Sequence, residues 1–235
     1  MSFNTGTSDA SIGILMLDTQ FPRIPGDLGN ELSWPFPVKF KLVSGASARM
    51  ALSEDPRALL RPFIIAAQEL IEDGADGITT SCGFLSLMQQ ELSEAITVPL
   101  LTSSLMQIPW VQSLLPQHQR VGVLTIDSQS LTAAHMLAAG ARTDTPVAGT
   151  ENGSEFSRVI LNDEPTMNVE LCRADNVNAA RRLIEEHPDV AVIVLECTNM
   201  APYAADIQRE TGLPVFSIVT LINWFQTGLQ PRNFG

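Results

Sequence analysis

Two cysteines occupy equivalent places in the sequence pattern. Cys82 follows the apolar run GITTS and Cys197 follows VAVIVLE, and each precedes a segment of helical periodicity. If both runs are strands of parallel sheets, both thiols lie at the carboxyl ends of strands, where open α/β sheets bind ligands. These positions are also helix N-termini, whose free backbone donors favour a thiolate. We therefore expect thiol pKa values lowered from about 8.5 toward 7 or below.

Paired thiols of this kind can perform acid–base chemistry on carbon. One thiolate removes a proton from a carbon next to a carboxylate or carbonyl, and the other thiol returns a proton to the opposite face. The backbone amides of Cys82, Gly83 and Thr198 are candidates to bind the enolate-like charge that develops. Cys172 lies in the phrase VELCRAD and is expected to be a packing or surface residue.

The elements that position these cysteines are part of an internal repeat. The two copies are offset by 109 residues near their starts and by 115 residues near their ends. The matched features are 12–19 (IGILMLDT) with 121–128 (VGVLTIDS), Pro37 with Pro146, Cys82 with Cys197, and Pro99 with Pro214. Their order and nearly constant offset predict two copies of one α/β unit, with the two thiols on opposite sides of a shared cleft.

Apolar β-branched runs alternate with helix-period segments, which predicts parallel sheets covered by helices. The predicted strands are 12–17, 38–43, 77–81, 98–101, 121–126, 190–195 and 214–217. The predicted helices are 56–73, 84–92, 131–139, 177–186 and 202–211. Residues 109–119 are interpreted as the bridge between the copies. Residues 143–168 are predicted to be a long irregular segment, typical of a lid, with disorder as the alternative.

Composition excludes several classes of function. The 235 residues are 45% apolar and 17% charged, as in globular proteins, and the formal charge of −12 opposes binding to nucleic acid or to a membrane surface. The apolar run at 190–195 is far shorter than the ~20 residues that span a bilayer. The start MSFNTGTSDA lacks the features of a signal peptide, so we expect a cytoplasmic protein with reduced thiols.

Neither a metal nor an organic cofactor is expected. The histidines, His118, His135 and His187, are scattered and show no zinc-ligand spacing. Lys39 and Lys41 are the only lysines that could form a Schiff base with pyridoxal phosphate, and both lie inside a predicted strand without a glycine-rich phosphate loop. The predicted chemistry therefore depends on the side chains themselves.

The sequence resembles the aspartate/glutamate racemase superfamily over nearly its whole length. The phrases that carry the resemblance are ITTSCGF, which contains Cys82, and VLECTNM, which contains Cys197. In glutamate racemases the first cysteine is typically followed by Asn-Thr and the second by Thr-His; Thr198 matches that pattern, and Asn199 replaces the histidine. The resemblance implies two pseudo-symmetric lobes, each a parallel sheet flanked by helices, with the active site in the cleft between them.

The resemblance also implies roles for residues near the cysteines. Asp18 is similar to the aspartate that assists the thiol in glutamate racemases, and Arg49 is similar to an arginine that holds a substrate carboxylate in aspartate racemases. Arg23 is the other candidate for that carboxylate. The expected substrate-binding residues are Thr19, Ser81, Gly83, Phe84, Thr198, Asn199 and Arg49, with Asp18 auxiliary to catalytic Cys82 and Cys197.

Glu196 remains ambiguous at this point. Strand alternation predicts that its side chain points away from the side of the neighbouring thiol, although strand ends often break that rule. A carboxylate there would raise the pKa of a nearby thiol.

The expected function is that of a cofactor-independent racemase or epimerase, an isomerase acting on an amino acid or related small carboxylate. Alternatives on the same scaffold are a hydantoin racemase, an arylmalonate-type decarboxylase and a maleate-type cis-trans isomerase. A non-catalytic two-lobed binding protein is a further alternative. The resemblance also implies a homo-oligomer, a first lobe of residues 1–102 with 217–235, and a second lobe of residues 103–216.

Overall fold

A computed structural model of the chain describes residues 9–53 and 56–231. Within these residues, eight strands form two separate four-stranded parallel sheets. The first sheet consists of β1 (Ile12–Leu17), β2 (Val38–Val43), β3 (Gly77–Thr80) and β4 (Leu100–Leu101). The second sheet consists of β5 (Arg120–Thr125), β6 (Val147–Gly149), β7 (Val190–Leu195) and β8 (Val215–Phe216).

Both sheets have the same strand order. Across the first sheet the order is β2-β1-β3-β4, and across the second it is β6-β5-β7-β8. The amide of Ile78 donates to the carbonyl of Pro99 at 3.0 Å, and the amide of Ile193 donates to the carbonyl of Pro214 at 2.9 Å. These two bonds occupy the same place in each sheet and match the repeat of the sequence. The predicted α/β fold with two lobes is therefore confirmed.

Helices cover both sheets. In the described residues they are α1 (Ala48–Ala51), α2 (Leu60–Glu72), α3 (Gln89–Ala95), α4 (Ile108–Ser113), α5 (Ala133–Ala138), α6 (Phe156–Leu161), α7 (Val169–Glu186), α8 (Ala204–Thr211) and α9 (Ile218–Leu229). The helix predicted at 56–73 is α2 preceded by a 3-10 turn, Pro56–Leu59. Its buried face, which includes Phe63 and Leu70, packs against β1 and β2.

The segment at 143–168 is more regular than the sequence predicts. It contains β6 and α6, so the expectation of one long irregular loop is wrong. A residue of another helix organises the start of α6, because the carboxylate of Asp175 accepts hydrogen bonds from the amides of Ser154, Glu155 and Phe156. Such a long-range contact leaves no periodic signal in the local sequence.

Helix α7 begins eight residues earlier than predicted. The side chain of Asn168 accepts hydrogen bonds from the amides of Glu170 and Leu171, so it caps the helix at Val169. The first turns of α7 bury polar side chains, including Asp175 and Asn176, which hide the apolar period on which the prediction depended.

One helix follows the last strand of each repeat, and each of these two helices packs on the sheet of the other repeat. Helix α4, which the sequence analysis interpreted as part of a bridge, contacts β5 of the second sheet. Helix α9 was not predicted from the sequence. Its residues Ile218, Ile222 and Phe225 pack into a cluster that contains Ile12 and Ile14 of the first sheet. The expected lobe boundaries place α4 in the second lobe and α9 in the first, and they stay a prediction. Among the described residues, no helix combines the length and apolar character needed to cross a bilayer.

Gly77 and Gly228 provide a matched test of this packing. A Cβ on Gly77 would overlap Phe225 and Leu229 of α9, whereas a Cβ on Gly228 would meet open space within α9. We expect Gly77→Ala to lower the free energy of unfolding by about 1–3 kcal/mol through overpacking, and Gly228→Ala to raise it by about 0.5–1 kcal/mol. Urea denaturation measures both values. Equal effects of the two substitutions would contradict the packing of α9 on the first sheet.

Candidate active site

The two thiols lie at equivalent strand ends and line the same cavity. Cys82 follows β3 and caps the 3-10 turn Gly83–Met88, and Cys197 follows β7 and caps the 3-10 turn Thr198–Tyr203. Both residues are buried free cysteines. The cavity between them has a volume of about 30 Å³, which holds one or two water molecules. A substrate therefore requires the cavity to widen.

Residues directly before and after the two cysteines contact each other crosswise between the repeats. The hydroxyl of Thr198 donates to the carbonyl of Ser81 at 2.8 Å, and the side chain of Glu196 lies against Gly83. A Cβ at position 83 would overlap the Glu196 carboxylate, so only glycine allows this close approach. The two lobes are thus joined at the points where they hold the thiols.

Burial dominates the electrostatics of Cys82. Burial and, second to it, the negative charge of Glu196 together raise the pKa of the Cys82 thiol to about 12. The backbone amides of Phe84 and Leu85 donate toward the sulfur and oppose this rise. The expectation of a lowered thiol pKa is therefore wrong for this closed cavity, because the loss of hydration outweighs the donors of a short turn.

Cys197 responds to the same environment. Burial raises its pKa well above the ordinary value, followed by the charge of Glu196, while the backbone amide of Asn199 opposes the rise. Negative charges on Cys82 and Asp27 also raise the Cys197 pKa. The mutual effect of the thiols means that a thiolate at one sulfur favours the protonated form at the other.

Glu196 is a buried carboxyl in the same cavity. Strand β7 ends at the preceding residue, so the alternation that predicts an orientation away from the thiol does not extend to Glu196, and that expectation is wrong. Its Oε2 accepts a hydrogen bond from the hydroxyl of Thr125 at 2.7 Å, while Oε1 has no partner among the described residues. Burial raises the pKa of Glu196 to about 8. The expected upward effect of this carboxylate on nearby thiols is confirmed.

A chain of hydrogen bonds leads from Cys197 to the first lobe. The thiol of Cys197 donates to Oδ1 of Asn199 at 3.6 Å, and Nδ2 of Asn199 donates to Oδ2 of Asp27 at 2.7 Å. Asp27 is buried and also pairs with Arg23 at 3.0 Å. Asp27 was not among the predicted site residues, because the turn sequence PGDLGN around it does not indicate its contact with Asn199, 172 residues away.

The predicted binding residues separate into two groups. Ser81, Gly83, Phe84, Thr198 and Asn199 line the cavity with the two cysteines. Asp18, Thr19 and Arg49 do not line it; they lie nearer the surface.

Each of the three outer residues has a local partner. Asp18 is exposed and accepts a hydrogen bond from the amide of Gly45, and Thr19 accepts one from Arg23 at 2.9 Å. Arg49 donates to Oδ1 of Asn162 at 2.8 Å. Of the two candidate arginines, only Arg23 reaches the cavity wall.

Contacts between the lobes lie beside the cavity. Oδ1 of Asp163 accepts hydrogen bonds from the amides of Gln20 and Phe21 at 2.6 and 3.2 Å. Phe21 and Leu161 line the cavity directly beside these bonds. We call Asp163 with its two amide partners the inter-lobe clasp. Ile160 and Leu161, in the segment expected to be a lid, line the cavity as part of an ordered helix.

The sequence is similar to curated lyases. It is 28% identical over 227 residues to dimethylsulfoniopropionate lyase of Durusdinium sp. clade D, covering 93% of this chain and 75% of that protein. It is 28% identical over 231 residues to dimethylsulfoniopropionate lyase 7 of Emiliania huxleyi (strain CCMP1516), covering 93% of this chain and 67% of that protein. No family model matches the chain.

Solved structures share the fold. A variant of arylmalonate decarboxylase matches with a TM-score of 0.63 at 20% identity, covering 93% of this chain and 92% of that chain. A glutamate racemase of Bacillus anthracis matches with a TM-score of 0.55 at 11% identity over 94% and 84% of the two chains. Allantoin racemase of Pseudomonas fluorescens matches with a TM-score of 0.55 at 15% identity over 93% and 90%. The resemblance to the aspartate/glutamate racemase superfamily is thus confirmed as a shared fold.

The buried Glu196 predicts a pH-dependent stability. Its pKa is about 8 in the folded protein against an ordinary value of 4.5, so its contribution to stability is complete below pH 4.5 and is lost as the pH rises to 8. Because of this group, the free energy of unfolding of the wild type is expected to fall by up to about 3–5 kcal/mol between pH 5 and pH 9. We expect Glu196→Gln to abolish that part of the fall.

Urea denaturation of both proteins at the two pH values measures this effect. Glu151→Gln removes a carboxyl that does not line the cavity and so controls for net charge. Parallel pH profiles for the wild type and Glu196→Gln would show that the carboxyl is not buried.

The inter-lobe clasp predicts protection of the thiols from alkylation. Asp163 has a φ of 55°, which glycine adopts without strain, so Asp163→Gly removes the carboxylate with little backbone cost. Loss of two hydrogen bonds is expected to raise the rate at which iodoacetamide modifies Cys82 and Cys197 by about three- to tenfold. Mass spectrometry of the peptides measures each rate, with buried Cys172 as the internal control. Unchanged rates would mean that the clasp does not control access.

Proposed function

We propose that this chain is a cofactor-independent enzyme that moves a proton at the carbon next to a substrate carboxylate, with Cys82 and Cys197 as the acid–base pair. The observation that carries the proposal is that two thiols from equivalent positions of the two repeats line one closed cavity. Buried thiols at related strand ends are suited to proton transfer with carbon, because the small cavity limits the number of water molecules that compete for the proton.

The surroundings of the thiols assign them different tasks. Cys82 receives two backbone amide donors, from Phe84 and Leu85, which stabilise a thiolate. Cys197 receives one such donor, from Asn199, and is also exposed to the charge of Asp27. We therefore assign Cys82 as the base and Cys197 as the protonated partner. Widening of the cavity on substrate entry, which rehydrates the sulfur, is what allows the thiolate to form.

Among the described residues, the cavity wall contains one cationic side chain that can bind a substrate carboxylate. Arg23 lines the cavity, and its guanidinium lies 4.6 Å from the centre of the Phe21 ring. Its ion pair with Asp27 fixes its position. We assign Arg23, rather than the more distant Arg49, to the substrate carboxylate. Charge neutralisation at that carboxylate makes loss of the adjacent proton easier, because an enolate-like charge develops there.

The similarity to dimethylsulfoniopropionate lyases supports elimination as the outcome of this proton transfer. In that reaction the Cys82 thiolate takes the proton from the carbon beside the carboxylate, and the freed electron pair forms a carbon–carbon double bond. The bond from the next carbon to sulfur breaks, and its electron pair leaves on neutral dimethyl sulfide. The products are acrylate and dimethyl sulfide, and the thiol later returns its proton to water.

Racemisation or epimerisation of a small carboxylate is the second candidate. The pseudo-symmetric placement of the two thiols favours it, since inversion needs a proton acceptor on one face of the carbon and a proton donor on the other. It is the isomerase reaction expected from the sequence. Elimination requires only one of the two thiols to act on carbon, which gives a direct way to distinguish the reactions.

Cysteine variants test the proposal. We expect Cys82→Ala to lower dimethyl sulfide release from dimethylsulfoniopropionate by about 100- to 10,000-fold, and Cys197→Ala to lower it less, since the leaving group needs no proton. Gas chromatography measures the product. Cys172→Ala, the same change at a buried cysteine outside the cavity, is expected to keep activity within about threefold of the wild type.

Solvent deuterium completes the test. Each variant is incubated in D₂O with a panel of amino acids, hydantoins and substituted malonates, and α-deuterium is measured by mass spectrometry. Equal loss of exchange in both cysteine variants would favour racemisation over elimination. Full activity in Cys82→Ala, or no proton exchange and no elimination with any substrate in the wild type, would overturn the proposal.

A further inference from the structure

One carboxylate oxygen of Glu196 is buried at the cavity without a hydrogen-bond partner among the described residues. The residue is fully buried and lines the cavity with both cysteines. Thr125 binds only its Oε2, and Oε1 has no hydrogen-bond partner in residues 9–53 and 56–231. Burying a carboxyl oxygen without a partner costs free energy, and a ligand bound at this position would offset that cost.

The charges of the cavity wall show what kind of ligand would match. Among the described residues, Arg23 and Glu196 are the only charged side chains that line the cavity. Arg23 donates one N–H to Asp27 and another to Thr19, and its remaining N–H groups are the donors assigned to the substrate carboxylate. Glu196 pairs with no basic side chain of the described residues, and its burial opposes ionisation. A positive group on the ligand would stabilise the ionised form of Glu196.

The rest of the wall selects among positive groups. Phe84, Ile126, Ile160 and Leu17 provide apolar surface in the cavity that Glu196 lines. A primary ammonium carries three N–H donors, and this wall would leave most of them without acceptors. A methylated onium group has no such donors and spreads its charge over methyl groups, so it packs on apolar and aromatic surface beside a single carboxylate.

We propose that Glu196 forms a subsite for a methylated onium group, sulfonium or quaternary ammonium, of a zwitterionic carboxylate substrate. The inference rests on the proposed function and deepens it. In the elimination the onium group is the leaving group, so Glu196 holds the substrate end opposite to the carboxylate at Arg23. Glu196 is a specificity-determining residue in this assignment, and the thiols remain the catalytic residues.

Two ligands of equal shape isolate the effect of charge. The probes are 3-(trimethylammonio)propanoate and its neutral isostere 4,4-dimethylpentanoate, with binding measured by calorimetry. We expect wild-type protein to bind the charged probe at least about tenfold more tightly, and Glu196→Gln to lose that preference. Glu196→Gln keeps an acceptor for Thr125, and Glu151→Gln serves as the matched control with an unchanged preference.

A third ligand tests the subsite in wild-type protein alone, so the test does not depend on the folding of a variant. The ligand 3-aminopropanoate has the same chain and a primary ammonium, and we expect it to bind at least about tenfold more weakly than the trimethylated probe. Equal binding of the neutral and charged probes by the wild type, or a preserved preference in Glu196→Gln, would overturn the subsite. Charge-selective binding without elimination or exchange of the α-proton would retain the subsite and reject the proposed function.

Discussion

Three ionisable groups line one small buried cavity, and their loss of hydration is the constraint on which the site depends. Burial raises the pKa of Cys82 to about 12 and that of Glu196 to about 8, and it raises the pKa of Cys197 as well. Their charges also oppose one another, so the closed site holds protons firmly. A ligand that enters the cavity changes the hydration and the charge around these three groups. Those changes decide which group gives up its proton.

The fold supplies this arrangement by repetition with a local break in symmetry. Two sheets of identical strand order present their third-strand ends to each other, and this places the thiols in one cavity. The residues beside the thiols then differ between the copies. Glu196 occupies the space that Gly83 leaves free, and Thr198 binds the carbonyl of Ser81. A symmetric frame thereby carries an asymmetric charge distribution, which suits a reaction that treats the two ends of its substrate differently.

The same fold occurs in a decarboxylase and in racemases, so the fold alone does not select the reaction. Selection must come from the side chains that meet the substrate. In this chain the cavity wall includes Asn199, where the resemblance leads one to expect histidine, and Asn199 is hydrogen-bonded to buried Asp27. The inter-lobe clasp at Asp163 joins the lobes beside this cavity, whose volume of about 30 Å³ is too small for a substrate.

The amino-acid sequence by itself determined the two-lobed α/β fold and the two thiols at its strand ends. Those features follow from local patterns: apolar runs mark strands, and the repeated phrases around Cys82 and Cys197 mark equivalent places in two copies. Tertiary structure decided the direction of the thiol pKa shifts, the position of Glu196, and the part played by Asp27. The reason is physical. The hydration and charge around a group depend on residues that folding brings together from distant parts of the chain. Thr125 and Glu196 are 71 residues apart and Asp27 and Asn199 are 172 residues apart, so the local periodicity of the sequence does not predict these contacts.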